Sequence, residues 1–205
     1  MLLPTLSPAP CASSKMLATH RIWLLFGCLA VAAALLAAGV AAILFDSKGA
    51  VLKEANSACI TETARLEVRG SSLAPLVKAG DTITAFYGFY ECNPLERDDL
   101  VLYNHSGNDV PLLKIAKALP GDTFALEEAG GRWHILVNGE VLKNSEGQPH
   151  TLNQSGYDML SLYAADYNGV IPKEAYLLLG NRSSGSLDST VFGLVGTSDI
   201  LGKVE

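Results

Sequence analysis

Ser72 and Lys114 are the two residues of this 205-residue chain whose types and settings could do chemistry together. Ser72 lies in Gly70-Ser71-Ser72-Leu73-Ala74-Pro75. Gly and Pro mark a tight chain reversal, which can project a hydroxyl while nearby backbone N–H groups point at one spot. A serine hydroxyl is a poor nucleophile until a neighbouring base takes its proton. Lys114 lies in Leu112-Leu113-Lys114-Ile115-Ala116, an apolar setting that favours the neutral amine a base requires. Each signal alone has an ordinary explanation. Turn serines cap chain reversals, and lysines in apolar runs snorkel. Lys117 competes for the role of base, but the period of two in a strand puts it on the face opposite Lys114. The chemistry that a serine–lysine pair supports is acyl transfer.

The elements around these residues begin with an apolar run, Ile22 to Phe45, that carries no charge. Its length suits one helix crossing a hydrocarbon core of about 30 Å. A cleaved secretory signal has a shorter apolar region, about 7–15 residues, so the run reads as an uncleaved anchor. Leu25-Phe26-Gly27-Cys28 faintly resembles a lipoprotein cleavage site, but the run continues well beyond Cys28. The layout is then a tail at 1–21, the anchor at 22–45, a connector at 46–63 and a β-rich domain at 64–205, in which 123–172 is a candidate smaller β lobe. Lys15 and Arg21 before the span nearly balance Lys48 and Lys53 after it, so the positive-inside rule does not fix orientation. The formal net charge of −6 argues against nucleic acid as a partner. Cys59 and Cys92 both fall in the external domain and could form one disulfide or remain two separate thiols.

The domain reads mainly as antiparallel strands. Arg65-Leu66-Glu67-Val68 alternates polar and apolar. Asp81 to Tyr90 is rich in Thr, Ile, Phe and Tyr, and Phe86, Tyr87, Phe89 and Tyr90 would put aromatic rings on both faces of one strand. Such a strand is either buried on both sides or dips into the headgroup layer of a membrane. Asp99 to Tyr103 is a further strand, and Arg132 to Lys143 is a hairpin turned at Asn138-Gly139. Ala175 to Leu179 is a buried strand followed by a polar loop, Asn181 to Ser189. No long amphipathic helix is visible after residue 60. His20, His105, His134 and His150 have no metal-ligand spacing and read as surface or strand residues.

Five ordered patches together resemble the type I signal peptidases. They are Ser71-Ser72-Leu73-Ala74-Pro75-Leu76 with Gly80-Asp81, Arg97-Asp98-Asp99-Leu100-Val101, Leu113-Lys114, Leu119-Pro120-Gly121-Asp122, and Gly180 with Ser186, Asp188 and Ser189. The resemblance runs from about residue 66 to the end, and the N-terminal anchor fits it. It implies a membrane-anchored serine endopeptidase with an antiparallel β-sheet domain outside the plasma or inner membrane and the N-terminus in the cytoplasm. Ser72 matches the nucleophile, Lys114 the general base, Ser186 a serine that orients that lysine, and Asp188 an aspartate that organises the region. Substrates would be signal peptides with small residues at the first and third positions before the cut, and the membrane lipid would be a second partner. No metal or cofactor is implied.

The sequence departs from the family pattern at several points. Gly70 stands where some members carry a hydroxyl that donates to the oxyanion, which leaves the backbone N–H groups of Ser72 and Gly70 as the donors. Leu73 replaces a usual methionine, Gly180-Asn181-Arg182-Ser183 replaces Gly-Asp-Asn-Arg, and Thr190 replaces an arginine that would partner Asp188. Two other readings stay open: a specialised maturation peptidase for pilin-like or other exported proteins, and a membrane-tethered β domain that binds partners without catalysis. A self-cleaving repressor of the SOS response shares the serine–lysine pair, but here a membrane span replaces any DNA-binding head.

Overall fold

Residues 56–105 and 110–205 are described in the computed structural model; the expected tail and anchor lie outside them. Among the described residues no helix is long and apolar enough to cross a membrane. The domain is mainly antiparallel β, in two sheets.

The larger sheet has seven strands in the order β1-β2-β11-β3-β4-β9-β10. They are β1 (Glu62–Glu67), β2 (Thr82–Tyr87), β3 (Leu100–Tyr103), β4 (Leu112–Ala118), β9 (Ala175–Leu179), β10 (Val195–Gly196) and β11 (Ile200–Val204). The first strand thus starts inside the expected connector. β1 is an edge strand, paired only with β2, from Glu62 opposite Tyr87 to Glu67 opposite Thr82. The smaller sheet holds β5 (Phe124–Ala129), β6 (Arg132–Val137), β7 (Glu140–Val141) and β8 (Thr151–Leu152), with β6 paired to the other three. The hairpin turns at Asn138-Gly139 with Val137 opposite Glu140.

Alternation along β4 sorts its side chains into two cores. Ile115 and Leu113 join Leu73, Val77, Ile83, Ala85, Leu102 and Val204 on one face. Ala116 and Leu112 join Val101, Tyr103, Leu178 and Val195 on the other. Lys114 shares the parity of the second set. Leu73 and Val77 bury the turn that carries Ser72 onto the first core, so that turn is packed rather than loose.

Two local readings need correction. The chain after residue 60 does contain a helix, α1 (Gln154–Asp166), capped by the Asn153 side chain, which accepts from the Gly156 N–H at 2.9 Å. Its buried residues are only Gly156 and Leu160, so its apolar stripe is too narrow to show in the sequence. Tertiary packing against Phe124, Ile135 and Leu152 supplies the rest. The aromatic run does not share one strand either. β2 stops at Tyr87, the chain turns at Gly88, and Phe89 and Tyr90 lie in a 3-10 turn over Phe89–Glu91. There Phe89 is buried and the Tyr90 hydroxyl donates to Asp99 Oδ2 at 3.0 Å.

A disulfide joins Cys59 to Cys92, with Cα atoms 5.7 Å apart. Beside it the Asn56 N–H donates to Asn93 Oδ1, and Asn93 Nδ2 donates back to the Asn56 carbonyl, both at 2.9 Å. The start of β1 is therefore clamped to the turn that ends β2.

Candidate active site

β4 carries Lys114 opposite Val101 of β3. On its other side β9 ends at Leu179, opposite Ile115. The Asn181 N–H donates to the Ser72 carbonyl at 2.7 Å, which sets the turn bearing Ser72 against the end of β9. Lys114 Nζ then lies 3.1 Å from Ser72 Oγ, across 42 positions of sequence. Lys114 is 3% exposed, and among the described residues its amine has no ion-pair partner. Burial pushes its pKa below the ordinary lysine value, while the charge of Asp188 pulls it back up. Lys117 is differently placed. Its amine is 2.6 Å from Asp98, and a β-bulge interrupts the ladder between Ala116 and Ala118.

Asp188 is 1% exposed, and four hydrogen bonds surround its carboxylate. The Gly180 N–H and the Ser186 hydroxyl donate to Oδ2 at 3.0 and 2.6 Å. The Thr190 N–H and hydroxyl donate to Oδ1 at 3.0 and 2.7 Å. The residue that seemed to deprive Asp188 of a partner is itself the partner. Asp188 also caps α2 (Ser189–Phe192), whose first hydroxyl, that of Ser189, receives the Leu178 N–H at 2.9 Å. Ser186 is thus bonded to Asp188 and has no hydrogen bond to Lys114.

Two glycines set the approach of these segments. Gly70 has φ +94°, a conformation that a side-chain-bearing residue adopts only under strain, which accounts for a glycine there. A Cβ on Gly180 would strike Ser186 Oγ and come within 2.8 Å of the Ser72 carbonyl. Among the described residues no hydrogen bond occupies the Ser72 N–H or the Gly70 N–H.

Ser72 and Lys114 open onto a cleft of about 880 Å³. Its walls include Leu66 and Val68 from the edge strand and its continuation, Ile83, Leu102 and Leu113. Among the described residues β1 pairs with β2 alone, so its outer edge presents free backbone groups along the same cleft. Other patches of the sequence serve as buttresses. Arg97 donates to the Lys117 carbonyl at 2.6 Å and to both oxygens of Asp122 at 2.8 Å. Asp122 also receives the Leu119 N–H at 2.6 Å and Asn138 Nδ2 at 2.7 Å. Burial alone would raise the Asp122 pKa, but these donors together hold it below the usual carboxylate range.

Sequence reasoning overlooked two residues. Asn181 is 1% exposed; its Nδ2 donates to the Ala74 carbonyl at 3.0 Å and to Ser145 Oγ at 2.8 Å, and its Oδ1 accepts from the Ser145 N–H at 2.9 Å. Its place directly after Gly180 was the available signal. His150, read as a surface or strand residue, is 4% exposed and precedes β8, and its Nε2 lacks a hydrogen-bond partner. Burial, then the charge of Lys117, pushes its pKa down to about 4 against a smaller upward pull from Asp188. Among the described residues no cluster of His, Cys, Asp and Glu could hold a metal ion.

Known proteins are similar to this sequence. Signal peptidase IB of Staphylococcus aureus (strain COL) is 29% identical over 146 residues, 67% of this chain and 73% of that one. Signal peptidase I of Bacillus caldolyticus is 25% identical over 156 residues, 72% of this chain and 83% of that one. The crystal structure of a signal peptidase I from Enterococcus faecalis V583 aligns with a TM-score of 0.37 and 24% identity, over 54% of this chain and 97% of that one. The model of the family "Signal peptidase, peptidase S26" matches residues 27–205. The chain belongs to the signal peptidase family, peptidase S26.

Proposed function

We propose that this protein is a membrane-anchored serine endopeptidase that removes signal peptides from exported proteins, with Ser72 as nucleophile and Lys114 as general base. The observation that carries the reading is the 3.1 Å separation of Lys114 Nζ from Ser72 Oγ at a lysine only 3% exposed. General-base chemistry needs hydrogen-bond reach and a base whose neutral form is accessible. The short separation supports the first condition, and the burial that lowers the Lys114 pKa supports the second.

The peptide lies extended beside the edge of β1, where backbone pairing supplies affinity and the apolar cleft receives alternate side chains. Neutral Lys114 accepts the Ser72 proton as Oγ attacks the carbonyl of the last signal-peptide residue. The unoccupied N–H groups of Ser72 and Gly70 receive the developing oxyanion. Lys114 then protonates the leaving amine, and a water molecule, deprotonated in turn by Lys114, releases the acyl group. Asp188 holds Ser186 and the backbone of Gly180 behind the pair and acts as a positioning residue. On this reading small side chains precede the cut, residues 22–45 form the anchor and the peptidase domain faces away from the cytoplasm.

The test is cleavage of a preprotein with alanine at the first and third positions before the cut, by full-length protein in detergent or vesicles. The expected result is release of the mature chain, lost in Ser72→Ala. Failure to release any product from several such preproteins, with binding retained, would favour the non-catalytic binding domain instead.

A further inference from the structure

The turn that carries Ser72 borders two hollows, one of mixed and one of polar lining. Gly70, Ser72 and Leu73 line the larger cleft, whose wall mixes apolar side chains with Arg65, Glu67 and Arg69, whereas Ser71 and Ala74, from the same turn, line a second hollow of about 290 Å³. Glu146 and Gln148 from the turn after β7, and Arg182 and Ser183 from the segment after β9, form much of its remaining wall. Apart from Ala74, every residue of that wall is polar or charged.

The second hollow is registered against the serine. Asn181, part of the same wall, holds the Ser72 carbonyl through its N–H and the Ala74 carbonyl through its side chain, and it is bonded to Ser145 in both directions. These bonds tie one residue of the hollow's wall to the Ser72 turn. Glu146 and Arg182 are both exposed, and neither has an ion-pair partner among the described residues. Their charged ends are free to meet a ligand.

We propose that this hollow is the subsite for the first residues after the cut, a hydrophilic peptide segment in which Arg182 meets an acidic side chain and Glu146 a basic one. The inference rests on the hydrolase reading above. A peptide whose acyl half follows β1 through residues 65–70 reaches Ser72 with its other half directed past Ser71. The chain before the cut then meets a cleft with Leu66, Val68, Ile83 and Leu113 in its wall, and the chain after it meets a polar one. Such a division selects a junction between an apolar segment and a soluble one, beyond the choice of small residues before the cut.

Two experiments test it. In the first, full-length Ser72→Ala protein is mixed with a peptide spanning the cut that carries a photo-cross-linker at the second or third residue after it. Cross-links should map to 144–148 and 181–184; cross-links confined to the cleft along β1, or none, would overturn the subsite. This readout needs no turnover, so it separates the subsite from the hydrolase reading. In the second, the kcat/KM ratio of acidic to basic substrates, varied at the same positions, is compared between wild type and Arg182→Glu. The ratio should fall about three- to five-fold, the scale of a solvent-exposed charge pair. An unchanged ratio in an active Arg182→Glu enzyme would also overturn the proposal. Absence of turnover with every substrate would instead sink the hydrolase reading and leave the cross-linking result to decide the subsite.

Discussion

The backbone N–H of Asn181 donates to the carbonyl of Ser72 over 2.7 Å, so the segment after β9 grips the serine-bearing turn from behind. The side chain of Asn181 extends the grip to Ala74 and to Ser145 in the loop after β7. Asn181→Ala keeps the backbone bond but leaves the Ala74 carbonyl and the Ser145 N–H without these partners. Leaving such groups unsatisfied costs about 1–3 kcal/mol. Urea denaturation should show that loss, and kcat should fall while KM changes little, because the turn and not the cleft is disturbed. Undiminished kcat would mean that the turn holds its geometry without the side chain.

Lys114→Arg should abolish cleavage as fully as Lys114→Ala, because a guanidinium stays protonated and cannot act as a base. Lys114→Met should also be inactive and yet more stable by about 1–2 kcal/mol, since it removes a buried amine. For a domain of this size that is a rise of about 2–4 °C in melting temperature per kcal/mol. Lys117→Ala removes a pair with the exposed Asp98 and should change stability by no more than about 1 kcal/mol, with cleavage retained. Turnover by the arginine variant, measured on a preprotein, would remove Lys114 from the role of base.

The pH dependence follows from the two opposed influences on Lys114. The working form is the neutral amine, and burial lowers its pKa. Activity should therefore rise with pH and level off below the pH expected for an ordinary lysine. Asp188 pulls that pKa up, so Asp188→Asn should move the midpoint of kcat/KM to lower pH in whatever activity remains. A midpoint that stays put would show that Asp188 acts only through its hydrogen bonds.

His150 makes stability depend on pH in a separate window. Its pKa in the folded protein is about 4, below the ordinary 6.5, so the unfolded chain binds the proton more readily between those values. Stability contributed by the neutral, buried ring is present above about pH 6.5 and is lost as pH falls through 4, at a cost of about 3 kcal/mol. Denaturation midpoints at pH 7 and pH 4.5 should differ by more in wild type than in His150→Gln. Equal differences would mean that other groups carry the acid sensitivity.

Breaking the Cys59–Cys92 bridge in Cys59→Ser/Cys92→Ser should cost about 3–4 kcal/mol on the loop-entropy model for a separation of 33 residues. Thermal denaturation with and without reductant would show it. Reductant should then have no further effect on the double variant.

The alternation of β1, the Asn138-Gly139 turn and the apolar run of β9 were legible because each is a local pattern of side-chain type and spacing. Helix α1 was not, because its stability comes from Leu160 packing onto Phe124, Ile135 and Leu152 and not from a broad apolar stripe. The aromatic residues 86–90 misled because strand-favouring composition continues past Gly88, where the backbone does not. Ordered patches marked Ser72, Lys114, Ser186 and Asp188, but residue types could not say which atoms would bond. Thr190 looked like a loss, and Ser186 like a partner of Lys114; both are donors to Asp188.

The sequence alone determined the parts: a serine in a Gly/Pro turn, a lysine in an apolar strand, and a β-rich chain around them. The folded domain decided their relation, because a 3.1 Å contact across 42 positions rests on strand pairing and on the grip of Asn181, both long-range contacts. It also decided the electrostatics. Burial is a property of what other segments cover, and only the assembled sheets remove enough water from Lys114 to lower its pKa.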